Sequence, residues 1–228
     1  EQERLELHRA ALDRWAPDAD NPARAGLVAR HAEAVGDREA AARAFAALGH
    51  RAEAEHRAFD ADEAWSGVLR NLGHRDAARA RALLGRARAR SDSQRWLDAL
   101  SDLREGRDIA AAIGDRELEV EILIEESTVL DYCEDFEGSA ALAQRARNLL
   151  AAEDNRALAV DLDFADARAF FRGGRFGDAA PLFRKARDEA RRLHRIESET
   201  VAGLLLGCTL SELREVAEAE QVFADVIA

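Results

Sequence analysis

The sequence predicts an all-α fold in which antiparallel helix hairpins stack one on the next, and three observations carry that expectation. Alanine dominates a chain of 228 residues that holds three prolines and one tyrosine, a composition that favours helix throughout. An apolar or aromatic residue follows a short polar turn at Trp96, Phe136, Phe176 and Val216, a period of 40 that marks an internal repeat. Small residues keep the same step, at Ala87, Ser127, Ala167 and Gly207 before each anchor and at Ala99, Ser139, Ala179 and Ala219 after it. Small side chains let two helices cross closely and the larger anchor fills the space beside them. A lone hairpin cannot bury its apolar stripe, so neighbouring units stack into a solenoid.

Two further columns hold this register, Leu84, Ile124, Phe164 and Leu204, and Ala80, Val120, Val160 and Thr200. They place first helices over 76–91, 116–132, 155–172 and 196–212, with partners over 94–112, 136–152, 176–193 and 216–228, joined by turns of four or five residues. The repeats then span 75–114, 115–154, 155–194 and 195–228. Residues 1–74 keep a helical pattern without the period. One hairpin there turns at Gly36-Asp37 and another near Asp60–Asp62, while "WAPDADNP" (15–22) reads as a turn or linker. The glycine-rich stretch "FRGGRFGDAAPLF" (171–183) matches neither GxGxxG nor GxxxxGK[ST]. The other repeats carry "SDSQRW", "DYCEDF" and "SELREV" in its slot. It is a turn, with Gly173 or Gly174 supplying a helix C-cap and Pro181 falling in the first turn of the next helix.

"RFGDAAPLFRKA", with Phe176, Ala179, Phe183 and Ala186, resembles the second-helix signature of tetratricopeptide repeats (TPR). The period of 40 is similar to the longer repeats in sensor regions of large bacterial transcription activators. The resemblance covers 75–228 and implies a right-handed α-α superhelix. A second stretch, "LHRAALDRWAPDADNPARAGLVARHAEAVGDREAAARAF", looks like the junction between ATPase module and helical repeats in bacterial STAND-type regulators. His8, Arg9, His31, Gly36 and Asp37 stand in the matching positions. Residues 1–74 would then be a cap or junction to an upstream domain, and a chain that starts at Glu1 without any Met reads as a piece of something longer. The resemblance implies that the missing parts carry catalysis and that this piece is the sensor or docking arm, acting in the cytoplasm.

Charge and motifs narrow the function classes. A net charge of −12 is the wrong sign for tracking phosphates, so a nucleic-acid partner is not expected. No apolar run reaches bilayer length. Cys133 and Cys208 form neither a disulfide framework nor a metal spacing, and they suit a reducing cytosol. Cys208 sits on an apolar helix where packing is the usual role, and the carboxylates around Cys133 discourage its thiolate. His50 and His56 are six apart, and His8, His31, His74 and His194 fall in separate hairpins. No HxxxH, HExxH or CxxC joins any of them, so solvated or capping roles are the reading. No cofactor, metal site or nucleophile motif is expected, and the chain reads as a non-enzyme. Residues 115–137 carry ten carboxylates against Arg116, and 75–90 carry six arginines against Asp76. Ion pairing between adjacent first helices is the plain account, and an acidic strip for a basic partner the sharper one.

In TPR arrays first helices line the concave groove. Carried over by position, that resemblance implies a partner-binding groove of Glu121, Thr128, Asp131, Tyr132, Asp161, Phe164, Arg168, Phe171, Arg172, Cys208, Ser211 and Glu212. A carboxylate-tail clamp of the family's usual kind is not expected, because Leu84, Ile124, Phe164 and Leu204 replace its lysine column. The expected ligand is a protein or peptide, or a parent ATPase or effector domain docked intramolecularly. A peptide-pheromone-type receptor controlling a fused effector is the alternative, and an enzyme with an unrecognised site the third reading. The last unit lacks a polar capping helix, which implies either further repeats or self-association through that end.

Overall fold

A computed structural model describes residues 2–15, 21–73, 76–150 and 155–227. The described residues form twelve α-helices and no strand: α1 (Gln2–Trp15), α2 (Pro22–Val35), α3 (Arg38–Ala54), α4 (Ala58–Asn71), α5 (Ala77–Asp92), α6 (Trp96–Ile113), α7 (Arg116–Tyr132), α8 (Phe136–Leu150), α9 (Arg156–Arg172), α10 (Phe176–Arg192), α11 (Ile196–Glu212) and α12 (Val216–Ile227). They divide into two compact units, Glu1–Leu118 and Glu119–Ala228. Most of the linker "WAPDADNP" lies outside the described residues.

Helices α5, α6, α7, α9, α10 and α11 end the same way. A residue in the left-handed region stands one or two positions after the helix, and the next N–H reaches five residues back. Gln94, Glu134 and Arg214 take φ of 60, 63 and 62°, and Gly114 and Gly174 take 74 and 68°. The accompanying bonds include Arg95 N–H to Arg90 O at 2.8 Å, Asp135 to Leu130 at 3.0 Å and Glu215 to Leu210 at 2.9 Å, the Schellman arrangement that satisfies the last carbonyls of a helix. Gly174, rather than Gly173 at φ −75°, supplies the left-handed residue of the "FRGG" turn. The turns are tighter than expected, three residues between α5 and α6, α7 and α8, α9 and α10, and α11 and α12. Pro181 stands sixth in α10 rather than in its first turn.

Packing explains the columns. Trp96, Phe136, Phe176 and Val216 are each the first residue of their helix. Ala87, Ala167, Ala99 and Ala179 are wholly buried, and Ser127 and Ser139 meet across the hairpin with their hydroxyls 3.2 Å apart. Sixteen residues after the glycines of this column comes a large ring. Gly207 faces Phe223 and Gly49 faces Trp65, where an added Cβ would fall 2.5 and 2.7 Å from the ring. The pattern therefore extends into the first unit. Gly49, Ala58 and Ala61 repeat the later columns at a spacing of 38 instead of 40. Its turn is at Glu55–Arg57, with His56 at φ 53°, and Asp60 and Asp62 lie inside α4. The Gly36-Asp37 turn stands as expected, Gly36 at φ 78° and Asp37 capping Ala40 N–H at 3.0 Å.

Arg79, Arg81, Arg86 and Arg90 pair with carboxylates of the first unit. Arg79 reaches Glu105 at 2.8 Å, Arg86 grips Asp102 through two bonds of 2.8 and 2.6 Å, and Arg90 bridges Asp102 at 2.8 Å and Asp62 at 3.1 Å. Arg81 meets Asp115 at 3.2 Å. Asp115 among these partners belongs to the acidic stretch 115–137, and the others lie on α4 and α6. The reason is geometric: α5 lies against both α4 and α6, whose carboxylates are within a side chain's reach.

Candidate functional site

The second unit sets its first helices side by side in the register the period demands. Arg168 of α9 donates from Nη2 to Thr128 Oγ1 of α7 at 2.6 Å, and the Arg172 guanidinium lies over the Tyr132 ring at 4.9 Å. Both pairs are 40 residues apart, so one helix turn of α9 faces the equivalent turn of α7. The cores join α9 to α11 as well, with Ala167 packed in one cluster with Leu206 and Leu210 and Val160 with Ala202. Rows of equivalent positions therefore run across α7, α9 and α11, reading Thr128, Arg168, Cys208 and Tyr132, Arg172, Glu212.

These twelve candidates separate into inward and outward groups. Asp131 is fully buried, and its Oδ2 accepts from Arg168 Nε at 3.2 Å while Oδ1 has no partner. Arg168 is buried too, roofing the Phe164 ring at 5.6 Å. Thr128 donates its hydroxyl to Ile124 O at 2.9 Å. This trio is an internal tie between α7 and α9, a charge pair that replaces hydration lost on burial. Phe164 meets Phe183 edge-on at 5.7 Å, and Phe171 meets Phe176 at 5.4 Å, so both rings help build the core. Asp161 is held by Arg195 Nη1 at 2.8 Å, and Glu121 is half-buried.

Tyr132 and Arg172 are exposed, Tyr132 at 46%. On α11 the whole stripe is open: Cys208, Ser211 and Glu212 are exposed, and Ser211 donates back to Gly207 O at 2.9 Å. Cys208 is thus a surface thiol, as is Cys133. The apolar pattern of "VAGLLLGCTL" points its buried side to Ala202, Leu206 and Leu210 instead. Val201 and Leu204, 39 and 43% exposed, belong to the same stripe and were missed as site residues. Their spacing of 40 from Asp161 and Phe164 is the signal that finds them.

Among the described residues no group of three or more His, Cys, Asp and Glu side chains is placed to hold a metal ion. Two histidines expected in separate hairpins do meet. His8 Nδ1 of α1 and His31 Nδ1 of α2 lie 2.8 Å apart, sharing one hydrogen bond. Burial, then the charges of His8 and Arg30, pushes the His31 imidazole below its ordinary value. Among the described residues no helix is long and apolar enough to cross a membrane.

No family model matches the sequence, and no curated protein matches it. Solved structures do. A Rap protein complexed with competence and sporulation factor superposes with a TM-score of 0.77 at 10% identity, over 88% of this chain and 57% of that one. Aspartyl phosphate phosphatase F from Bacillus subtilis gives 0.68 at 12% identity, over 89% and 54%. A kinesin light chain structure of nearly identical TPR-like repeats from Podosopora anserina gives 0.58 at 16% identity, over 81% and 92%. The chain thus spans little more than half the length of the first two. At such identities the likeness speaks for architecture alone, and the architecture is an all-α array of TPR-like helix hairpins.

Proposed function

We propose that this chain is a non-catalytic scaffold that binds a protein or peptide segment on the α7–α9–α11 face. The observation that supports it best is the lateral register of the first helices. Arg168 on Thr128 and Arg172 on Tyr132 align α9 with α7, shared core clusters set α11 beside α9, and the α11 side leaves Val201, Leu204 and Cys208 open to solvent. Apolar side chains in a contiguous exposed stripe mark an interaction surface. A net charge of −12 weighs against nucleic acid as the partner.

In this reading residues 1–74 form an N-terminal junction and 75–228 four repeats that serve as the cytoplasmic sensor or docking arm of a larger bacterial regulator of STAND type. The partner is then a ligand, or the parent's own ATPase or effector domain. Binding acts by linkage, shifting the array only as far as the ligand's affinities for its two states differ. A peptide-receptor reading has one observation in its favour, the TM-score of 0.77 to a Rap protein complexed with competence and sporulation factor. The test is a random-peptide selection on the purified chain followed by Tyr132→Ala and Leu204→Glu. Both substitutions should abolish binding, and peptides whose affinity survives both place the site elsewhere. For the parent, the genomic sequence upstream should encode a phosphate-binding loop, and an upstream stop codon rejects the fused-ATPase reading.

A further inference from the structure

We infer that Arg172 is the anion-binding residue of this face, and that its partner is an extended peptide segment bearing a single carboxylate with apolar side chains two and four residues away. The inference rests on the scaffold reading above and adds the chemistry of the ligand.

Most arginines of the second unit are matched to carboxylates, among them Arg145 with Glu119, Arg175 with Asp178, Arg184 with Glu218 and Arg195 with Asp161. Arg172 differs from Arg156 and Arg214 in standing on the α7–α9–α11 face against a ring. Arg172 is exposed and makes a different contact, its guanidinium stacked 4.9 Å from the centre of the Tyr132 ring. Carboxylates outnumber cations across the chain, 45 to 33, so an arginine without one is not explained by a shortage of partners. A guanidinium stacked on a ring keeps its N–H edges available and loses little further freedom on binding. It is thus prepared for the two parallel bonds a carboxylate accepts.

The spacing of the apolar groups follows from helix geometry. In row terms Glu212 stands beside Arg172, Cys208 one turn below it and Leu204 two turns below. At 1.5 Å per residue those turns are about 6 and 12 Å from the Arg172 row. An extended peptide places same-side residues two apart, roughly 6.5 Å at a time. A carboxylate on Arg172 therefore sets the second residue over Cys208 and the fourth over Leu204, whose side chains are exposed. Glu212, also exposed, repels a second acid beside the first. One carboxylate fits and an acidic run does not.

Short random-peptide libraries, one with free C-termini and one internal, are panned against the chain and against Arg172→Gln. The expected consensus has one Asp, Glu or terminal carboxylate with apolar residues at positions two and four from it. Arg172→Gln should weaken the selected peptides by about tenfold or more, the scale of a lost charged hydrogen bond. Arg156→Gln, an exposed arginine at the start of the same helix, should leave them unchanged, with unaltered melting curves for both variants. A consensus without an acid, a basic consensus, or peptides indifferent to Arg172→Gln would overturn the inference and leave the scaffold standing. No selected peptide from either library would overturn the scaffold reading itself.

Discussion

Replacing a helical glycine by alanine ordinarily stabilises a helix by about 1 kcal/mol, and at Gly49 the packing should reverse that sign. A Cβ there would lie 2.7 Å from Trp65 Cε2 and 3.0 Å from Cδ2. The ring has no room to retreat. It is 4% exposed, its Nε1–H donates to Glu53 at 2.8 Å, and Gly85 leaves only 2.5 Å between it and a second such Cβ. Overpacking of this kind costs roughly 1–3 kcal/mol, so after the gain in propensity the net effect should be a loss of up to about 2 kcal/mol. Gly26, exposed within α2 with nothing within 4 Å of its Cβ position, is the control and should gain about 1 kcal/mol. Urea unfolding followed by far-ultraviolet circular dichroism reads the two opposite shifts. Trp65→Leu should remove the penalty of Gly49→Ala in a double-mutant cycle. Equal stabilisation by both alanines would refute the argument that small residues exist here to admit a neighbouring ring.

Arg168→Met leaves Asp131 buried opposite an apolar group and should cost about 3–5 kcal/mol, whereas Asp131→Asn together with Arg168→Met should recover much of it; equal losses in single and double variants would reject the tie. Glu134 and Arg214 hold φ of 63 and 62°, so glycine at either should stabilise by about 1 kcal/mol, measured by thermal melting against an alanine variant that gains nothing. For His31, burial and its neighbours lower the folded value, so the unfolded chain binds protons more readily and stability rises with pH. This contribution is present above the ordinary histidine value of about 6.5 and is lost as pH falls below it towards the depressed folded value. Denaturation midpoints at pH 7.5 and 5.5 should differ more for the native chain than for His31→Gln, and parallel slopes would exclude the pair as the source.

Some of the array is written locally and can be read from residues a few positions apart. The anchors Trp96, Phe136 and Phe176 begin their helices where the period puts them, because a turn, a cap and the first apolar residue of a helix are near neighbours in sequence. The α3–α4 hairpin escaped that reading for two reasons. Its columns stand 38 rather than 40 residues from those of the next hairpin, with α4 four residues shorter than α6, and Ala58 stands where the other units carry a large side chain. Asp60 and Asp62 look like turn residues, yet they serve Arg57, Arg90 and Arg95 from inside α4, while His56 makes the turn without glycine. Pro181 misled by its ordinary preference for a helix start, which α10 does not follow.

By itself the sequence determined the helical class, the stacking period and the positions of the three-residue turns that keep that period, since each depends on side-chain size and spacing along one hairpin. Tertiary structure decided which polar groups face each other. Asp131 and Arg168 stand 37 residues apart and became an internal pair, while Arg172, one turn further on, was left to the ring of Tyr132. Cys208 was left open and Leu206 and Leu210 closed. Those outcomes depend on the direction in which α11 presents its stripe to α9 and α10, and helix direction is set by packing between hairpins, which no stretch of sequence contains on its own.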